Sequence, residues 1–351
     1  MAITGLAGGL EALGHSVRRV GRLPGRNDAF RRILYNLTLA RAGASELADS
    51  ALIVGFDLDG FALKRRCTRY IVCLKGVMAD ELRFERGWPR LRFRLLSRLE
   101  GANARSADIV MVTSEYSRGI AIAAYGLDPA RVRIVPEGID LARWSAAAEA
   151  TDEPAAHRSA LDNGSSRPAA PDAAGPVILS VARQYRRKNT SALLRAMPTI
   201  LAAVPNARLR IVGGGPELRR LRQGRFALGL AGSVVITGEL PDADAIRDAY
   251  RAADVFCLPS LQEGFGIAFL EAMASGLPIV AYRSAAVPEV VPDGEAGLLV
   301  PPDDPRALAR ALIRLLRDPP LRRRMGEAGR RRARQHDWEE IAQRFLAAAG
   351  F

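Results

Sequence analysis

The sequence predicts an α/β protein made of two parallel-sheet domains. Two observations carry that prediction. Short apolar runs alternate with amphipathic stretches, most of ten to fifteen residues, an order that builds a parallel sheet covered by helices. And residues 142–176, rich in Ala, Pro, Ser, Asp and Gly, hold almost no large apolar side chain, so they cannot build a core and read as a flexible linker. The domains are expected over 1–141 and 177–337, with a closing helix over 338–351 that returns toward the first.

Taken in order, the chain opens on a helix over 3–13, although an α/β protein usually opens on a strand. Strands follow over 51–56, 70–74, 108–112 and 132–135, with helices over 91–104 and 115–125. Past the linker the pattern is cleaner. Strands are expected over 177–182, 208–212, 233–236, 254–258, 278–281 and 297–300. Helices are expected over 189–204, 217–223, 242–251, 267–275 and 305–316, then over 321–334 and 338–349.

Composition removes several function classes. The 351 residues include only three cysteines, Cys67, Cys73 and Cys257, too few and too scattered for a disulfide scaffold or a zinc cluster. Three histidines argue against a His-rich metal site: His157 lies in the linker, and His336 reads as core or cap at a helix break. There is no run of eighteen apolar residues and no signal-peptide core, so the expected location is cytoplasmic, peripheral on the inner membrane face. Net charge is +13, carried by both ordered halves: +7 over 1–141, −2 over 142–176 and +8 over 177–351. Aromatics make up only 6% and no reader module is visible, so nucleic acid is not an expected partner. An anionic membrane surface or a phosphate-bearing ligand suits the charge better.

Ligands of open parallel sheets bind beyond the carboxyl ends of the strands. After the strand at 177–182 come Arg183 and Lys188, two cations beside a helix start that suit a diphosphate; a solvated basic loop would look the same. After 208–212 come Gly213, Gly214 and Gly215, which let backbone approach a ligand, or simply turn; the run is neither a P-loop nor GxGxxG. After 254–258 the loop carries Glu263, Gly264, Phe265 and Gly266, and the helix that follows carries Glu271, eight residues beyond Glu263. Carboxylates accept hydrogen bonds from ribose or sugar hydroxyls. Two acids also suit a glycosidase dyad, but the nearby cations and glycines favour a nucleotide-linked sugar. Glu289, in isolation, reads as an exposed loop acid.

In this order, these residues resemble the nucleotide-binding half of the large retaining glycosyltransferase family four, whose fold is GT-B: two Rossmann-like domains facing a cleft. The resemblance is strongest over 177–350, in Glu263-Gly-Phe-Gly through Glu271 to Ala281, the family's E-x7-E signature, and in Gly297-Leu-Leu-Val. It extends, less clearly, to Ser106, Asp108 and Ser114, and to Val135-Pro-Glu-Gly-Ile-Asp140. It implies a nucleoside-diphosphate-sugar donor, UDP-, GDP- or other, metal-independent chemistry, no cofactor, retention of anomeric configuration and a lipid-linked or polysaccharide acceptor. It implies that Arg183 and Lys188 hold the donor diphosphate, Glu271 the ribose and Glu263 the transferred sugar. Backbone N–H groups around Gly264, Phe265 and Gly266 would lie near sugar or phosphate, and Gly213 to Gly215 would line the nucleotide pocket.

Two departures stand out. Relatives place a histidine near where this chain has Lys75, which would meet a phosphate or acceptor, or be a solvated lysine after a strand. And Gly14-His15 matches the end of the family's first long helix, so the first strand of the N-terminal domain is expected to be missing, with Gly8-Gly9 as helix interior that weakens the helix. That absence keeps two alternatives open: a non-catalytic GT-B relative acting as a nucleotide- or glycan-binding scaffold, and a GT-B enzyme with a small soluble acceptor.

Overall fold

The computed structural model describes residues 2–20, 32–38, 50–62, 69–144 and 175–351. Cys67, His157 and nearly all of the expected linker, residues 145–174, lie outside the described residues. The chain divides into two compact units, Met1–Gly138 with Trp338–Phe351, and Ile139–Asp337.

The first unit holds a four-stranded parallel sheet in the order β1 (Leu52–Phe56), β2 (Arg69–Leu74), β3 (Ile109–Val112), β4 (Val132–Ile134). Five of the six residues of β2 are buried, as expected for a strand paired on both sides and covered on both faces. Among the described residues no strand precedes β1. On one face lie the helices Gly87–Ser106 and Glu115–Tyr125, whose start is capped by Ser114 Oγ accepting from Ser117 N at 3.0 Å. Helix Gly87–Ser106 begins before Pro89, earlier than the expected 91, because proline in the first turn loses an N–H that has no helical partner there anyway.

On the other face, helix Ala2–Ala12 packs against helix Trp338–Ala349. Gly5 and Gly9 lie one turn apart on the contact side. A Cβ on Gly5 would come within 2.0 Å of the Trp338 ring, and one on Gly9 within 2.4 Å of the Trp338 carbonyl oxygen. Of the pair Gly8-Gly9 that sequence reasoning treats as a weakness of the helix, Gly9 makes room for the Trp338 backbone; the indole is admitted by Gly5, which the sequence did not single out.

The second unit holds a six-stranded parallel sheet in the order β10 (Gly297–Val300), β9 (Ile279–Tyr282), β8 (Val255–Leu258), β5 (Val177–Val181), β6 (Arg208–Val212), β7 (Val234–Gly238). Helices Thr190–Ala203 and Pro305–Arg317 cover one face, and Ala243–Arg251 and Ile267–Ala274 the other. Asp242, Asp304 and Asp318 cap the helices that follow them, each accepting a backbone N–H at 2.8–2.9 Å. The chain leaves β5 toward β6 and β7, then returns to lay β8 on β5's other side. Adjacent loops therefore diverge at the carboxyl ends of β5 and β8, the switch point where open sheets admit ligands.

Candidate functional site

The loop after β5 runs through Arg183 to a 3₁₀ turn, Arg186–Lys188, and the loop after β8 carries Ser260 to Gly266. They are tied by backbone: Leu261 N donates to Arg187 O at 2.8 Å. That tie brings together groups 75 residues apart. Lys188 Nζ donates to Glu263 Oε1 at 2.6 Å, and Ser260 Oγ donates to the same oxygen at 2.7 Å. Glu263 is buried. Burial alone would push its carboxyl up, but the charges of Lys188 and Arg187, with the Lys188 and Ser260 hydrogen bonds, outweigh burial and hold it below the ordinary carboxylate range. It is therefore ionised at neutral pH.

Glu271 lies one turn into helix Ile267–Ala274, also buried. Its Oε2 accepts from Tyr250 Oη at 2.8 Å. Burial raises this carboxyl to about 7, and the tyrosine hydrogen bond works against the rise. Tyr250 is itself fixed by aromatic contacts: Trp144 meets it edge-on at 5.2 Å between centroids, and Phe256 stacks on it at 5.5 Å. Glu263 uses Oε1 on the protein and Glu271 uses Oε2. Among the described residues no side chain or backbone group is seen to donate to the second oxygen of either carboxylate. Two carboxylate oxygens at one switch point can take hydroxyl donors from a polyol ligand.

The glycines serve backbone approach, but to protein. Gly213 has φ +115°, and a Cβ there would lie 2.0 Å from the Ala182 carbonyl oxygen; one on Gly215, at φ +150°, would lie 2.7 Å from Gln184 N. Gly214 O accepts from Gln184 N at 2.8 Å. The triple glycine thus holds the β6 loop against the β5 loop that carries Arg183 and Lys188. Gly266 takes φ +94° immediately before its helix, where a Cβ would strike the Phe269 ring at 2.6 Å. Gly264 is half-buried in the same loop. The Phe265 side chain is core, its ring 5.6 Å from that of buried His336, so only its backbone is left for a ligand.

Arg183 is exposed and stands over the Tyr185 ring at 5.6 Å, with Arg187 on the same ring at 5.4 Å. The structure does not join Arg183 to either glutamate. Lys75 belongs to the first unit. It is no solvated lysine: Nζ pairs with Glu137 Oε1 at 3.0 Å, and its backbone N–H donates to Asp57 Oδ1 at 3.0 Å. Burial would lower the Lys75 ammonium, but Glu137, then Cys73 and Asp57, hold it above its usual value. Among the described residues no group of three or more His, Cys, Asp or Glu side chains is placed to hold a metal ion.

Four participants escaped sequence reasoning. Ser260 lies three residues before Glu263 in the same loop, close enough to have been singled out. Glu137 lay in the Val135–Asp140 stretch of the resemblance without being singled out, and Tyr250 and Arg187 left no comparable signal, because their partners are set by the fold.

Residues 165–332 match the family described as Glycosyl transferases group 1, and residues 2–143 match Glycosyltransferase Family 4. The chain is 36% identical over 231 residues to the GDP-mannose-dependent alpha-(1-6)-phosphatidylinositol monomannoside mannosyltransferase of Mycolicibacterium smegmatis, covering 64% of this chain and 57% of that one. It is 32% identical over 245 residues to the D-inositol 3-phosphate glycosyltransferase of Corynebacterium jeikeium, covering 68% and 56%. The chain thus spans about half the length of the curated relatives it matches. Among solved structures, sucrose-phosphate synthase of Thermosynechococcus elongatus superposes with a TM-score of 0.79 at 25% identity, covering 98% of this chain and 91% of that one. Two parallel-sheet units, an E-x7-E pair at the switch point of the second, and matches along both halves establish that the chain belongs to the GT-B glycosyltransferases of family four, group 1.

Proposed function

We propose that this protein transfers a sugar from a nucleoside-diphosphate-sugar to a hydroxyl of a lipid-linked or glycan acceptor, with retention of anomeric configuration. The observation that carries the reading is the Lys188–Glu263–Ser260 cluster beside Glu271 at the β5/β8 switch point. Lys188 and Arg183 supply positive charge for the departing diphosphate. Glu263, held ionised, accepts from hydroxyls of the transferred sugar, and Glu271 accepts from the ribose. Because Glu263 stays ionised at neutral pH, it does not act as a general acid. Lys75, paired with Glu137, is kept for the acceptor side. The organisation into an N-terminal domain, linker, donor domain and returning helix belongs to the same proposal.

Two of the relatives bear on substrate. One is named as GDP-mannose-dependent and acts on a phosphatidylinositol monomannoside; the other is named for D-inositol 3-phosphate. We take GDP-mannose as the first donor to test and an inositol-phosphate-bearing lipid as the first acceptor. The +13 charge supports an anionic membrane surface as the place of work. The test is release of nucleoside diphosphate from a panel of nucleotide sugars, with and without membrane extract, using Glu271→Ala as control. Release that requires extract and falls in the variant supports transfer. No release from any donor would leave the scaffold reading, and release with inositol phosphate but not lipid would leave the small-acceptor reading.

A further inference from the structure

The loop after β2 in the first unit is held by a carboxylate on either side of Lys75. At one end the Lys75 N–H donates to Asp57 Oδ1 at 3.0 Å. At the other the Met78 N–H donates to Glu100 Oε2 at 2.9 Å. Only Gly76 and Val77 lie between. Glu100 comes from helix Gly87–Ser106 and is fully buried. Tyr125 completes the hold: its Oη donates to the same Glu100 oxygen and accepts from the Ala79 N–H at 3.2 Å. Among the described residues Glu100 Oε1 is buried with no hydrogen-bond partner. For tying the loop alone, an amide oxygen would serve as well; what a carboxyl adds is the ability to change charge.

We infer that Glu100 is the positioning residue of Lys75: through the Met78 N–H and Tyr125 it fixes the loop, and with it the place of the Lys75 ammonium on the acceptor side. The groups around Glu100 set when it is charged. Burial pushes its carboxyl up and the nearby Asp57 charge adds to the rise; the Tyr125 and Met78 hydrogen bonds oppose it, and Glu81 raises it further, to about 8. Tyr125 is held above its ordinary range by burial and by Glu100, so it stays a donor. The other polar groups of the packed elements are turned elsewhere. Asp80 accepts from Tyr116 and Arg83, and Tyr70, on β2, donates to Asn103. Hydrogen bonds to a charged acceptor are roughly twice as strong as those to a neutral one. The hold on the loop therefore tightens as pH rises through about 8. Glutamine at this position is the uncharged form made permanent.

The inference rests on Lys75 serving the acceptor, so one arm of the test needs no transfer. In hydrogen–deuterium exchange of the full chain, the amides of 76–79 should exchange alike in wild type and Glu100→Gln at about pH 6. At about pH 9 they should exchange about fivefold more slowly in wild type. In the second arm, sugar is transferred from GDP-mannose with phosphatidylinositol as the acceptor probe. Wild-type KM for the acceptor should fall about fivefold between about pH 7 and 9, with kcat nearly constant. Glu100→Gln should keep the higher KM throughout. Its thermal melting near pH 6 should match wild type, since the amide replaces an uncharged carboxyl of the same shape. Tyr125→Phe removes a donor to the carboxylate, so its KM midpoint should move above that of wild type, a shift that a merely structural role would not produce. Equal exchange in wild type and Glu100→Gln at about pH 9, or one KM profile shared by both, would overturn the inference. A wild type that transfers to no acceptor would count against the proposed function instead, and the exchange arm would still decide whether Glu100 holds the loop.

Discussion

Replacing Lys188 by Met separates the site's electrostatics from its packing. In the wild type, Glu263 is buried and its charge is met by Lys188 at 2.6 Å. Its folded value is depressed, so the pair stabilises the fold above the unfolded carboxylate value near 4.5 and loses that stabilisation as pH falls through the folded value. Without the ammonium, Ser260 and the more distant Arg187 remain, and burial becomes the dominant influence. The carboxyl then moves up, and its contribution reverses sign: stability now falls as pH rises above the unfolded value. Removing one partner of a buried pair costs about 3–5 kcal/mol, with protonation of Glu263 limiting the loss. For a unit of this size, about 2–4 °C per kcal/mol turns that into a drop in Tm of roughly 6–20 °C at neutral pH. The gap should narrow toward about pH 4–5, where the uncharged carboxyl no longer needs a partner. Lys188→Met with Glu263→Gln should recover most of the loss, since a neutral amide replaces the stranded charge. The assay is thermal unfolding of the single and double variants across pH. A Lys188→Met gap that is constant with pH, or a double variant no better than the single, would refute the reasoning.

Other outcomes follow from the same geometry. Tyr250→Phe removes the hydrogen bond that opposes burial at Glu271, so the midpoint near 7 for donor binding should move higher; nucleotide titrations in the two proteins across neutral pH measure it. Gly213→Ala forces a side chain into φ +115° and onto the Ala182 carbonyl, so the β6 and β5 loops must part; a loss of about 2–4 kcal/mol in urea unfolding, with weaker donor binding, is expected. Gly5→Leu places a branched side chain where the Trp338 ring sits, and should destabilise the first unit by about 1–3 kcal/mol, visible as a shift in Trp fluorescence on unfolding.

The second unit was legible because its strands are nearly all apolar and its helices announce themselves with Asp caps. The E-x7-E pair was legible because both glutamates lie in one loop–helix segment, and spacing along one element survives folding. Lys188 could be placed near a ligand from its position after β5, but its bond to Glu263 could not, since it depends on β8 returning beside β5. The pairing of Tyr250 with Glu271 is hidden for the same reason. At Gly5, which the sequence did not single out, and at Gly9, Gly213 and Gly215, the missing Cβ makes room for protein, and only the neighbour shows that.

The central claim, that the β5/β8 switch point of the second unit is the donor site, is tested most directly by calorimetric titration of GDP-mannose and the corresponding nucleoside diphosphate into wild type, Glu271→Gln and Arg183→Ala. A hydrogen bond to a charged group is worth about 1.5–3 kcal/mol, so Glu271→Gln should weaken both ligands by about 10- to 150-fold. Arg183→Ala should weaken binding less, because its exposed guanidinium acts through solvent. A nucleotide bound with wild-type affinity by both variants would contradict the account.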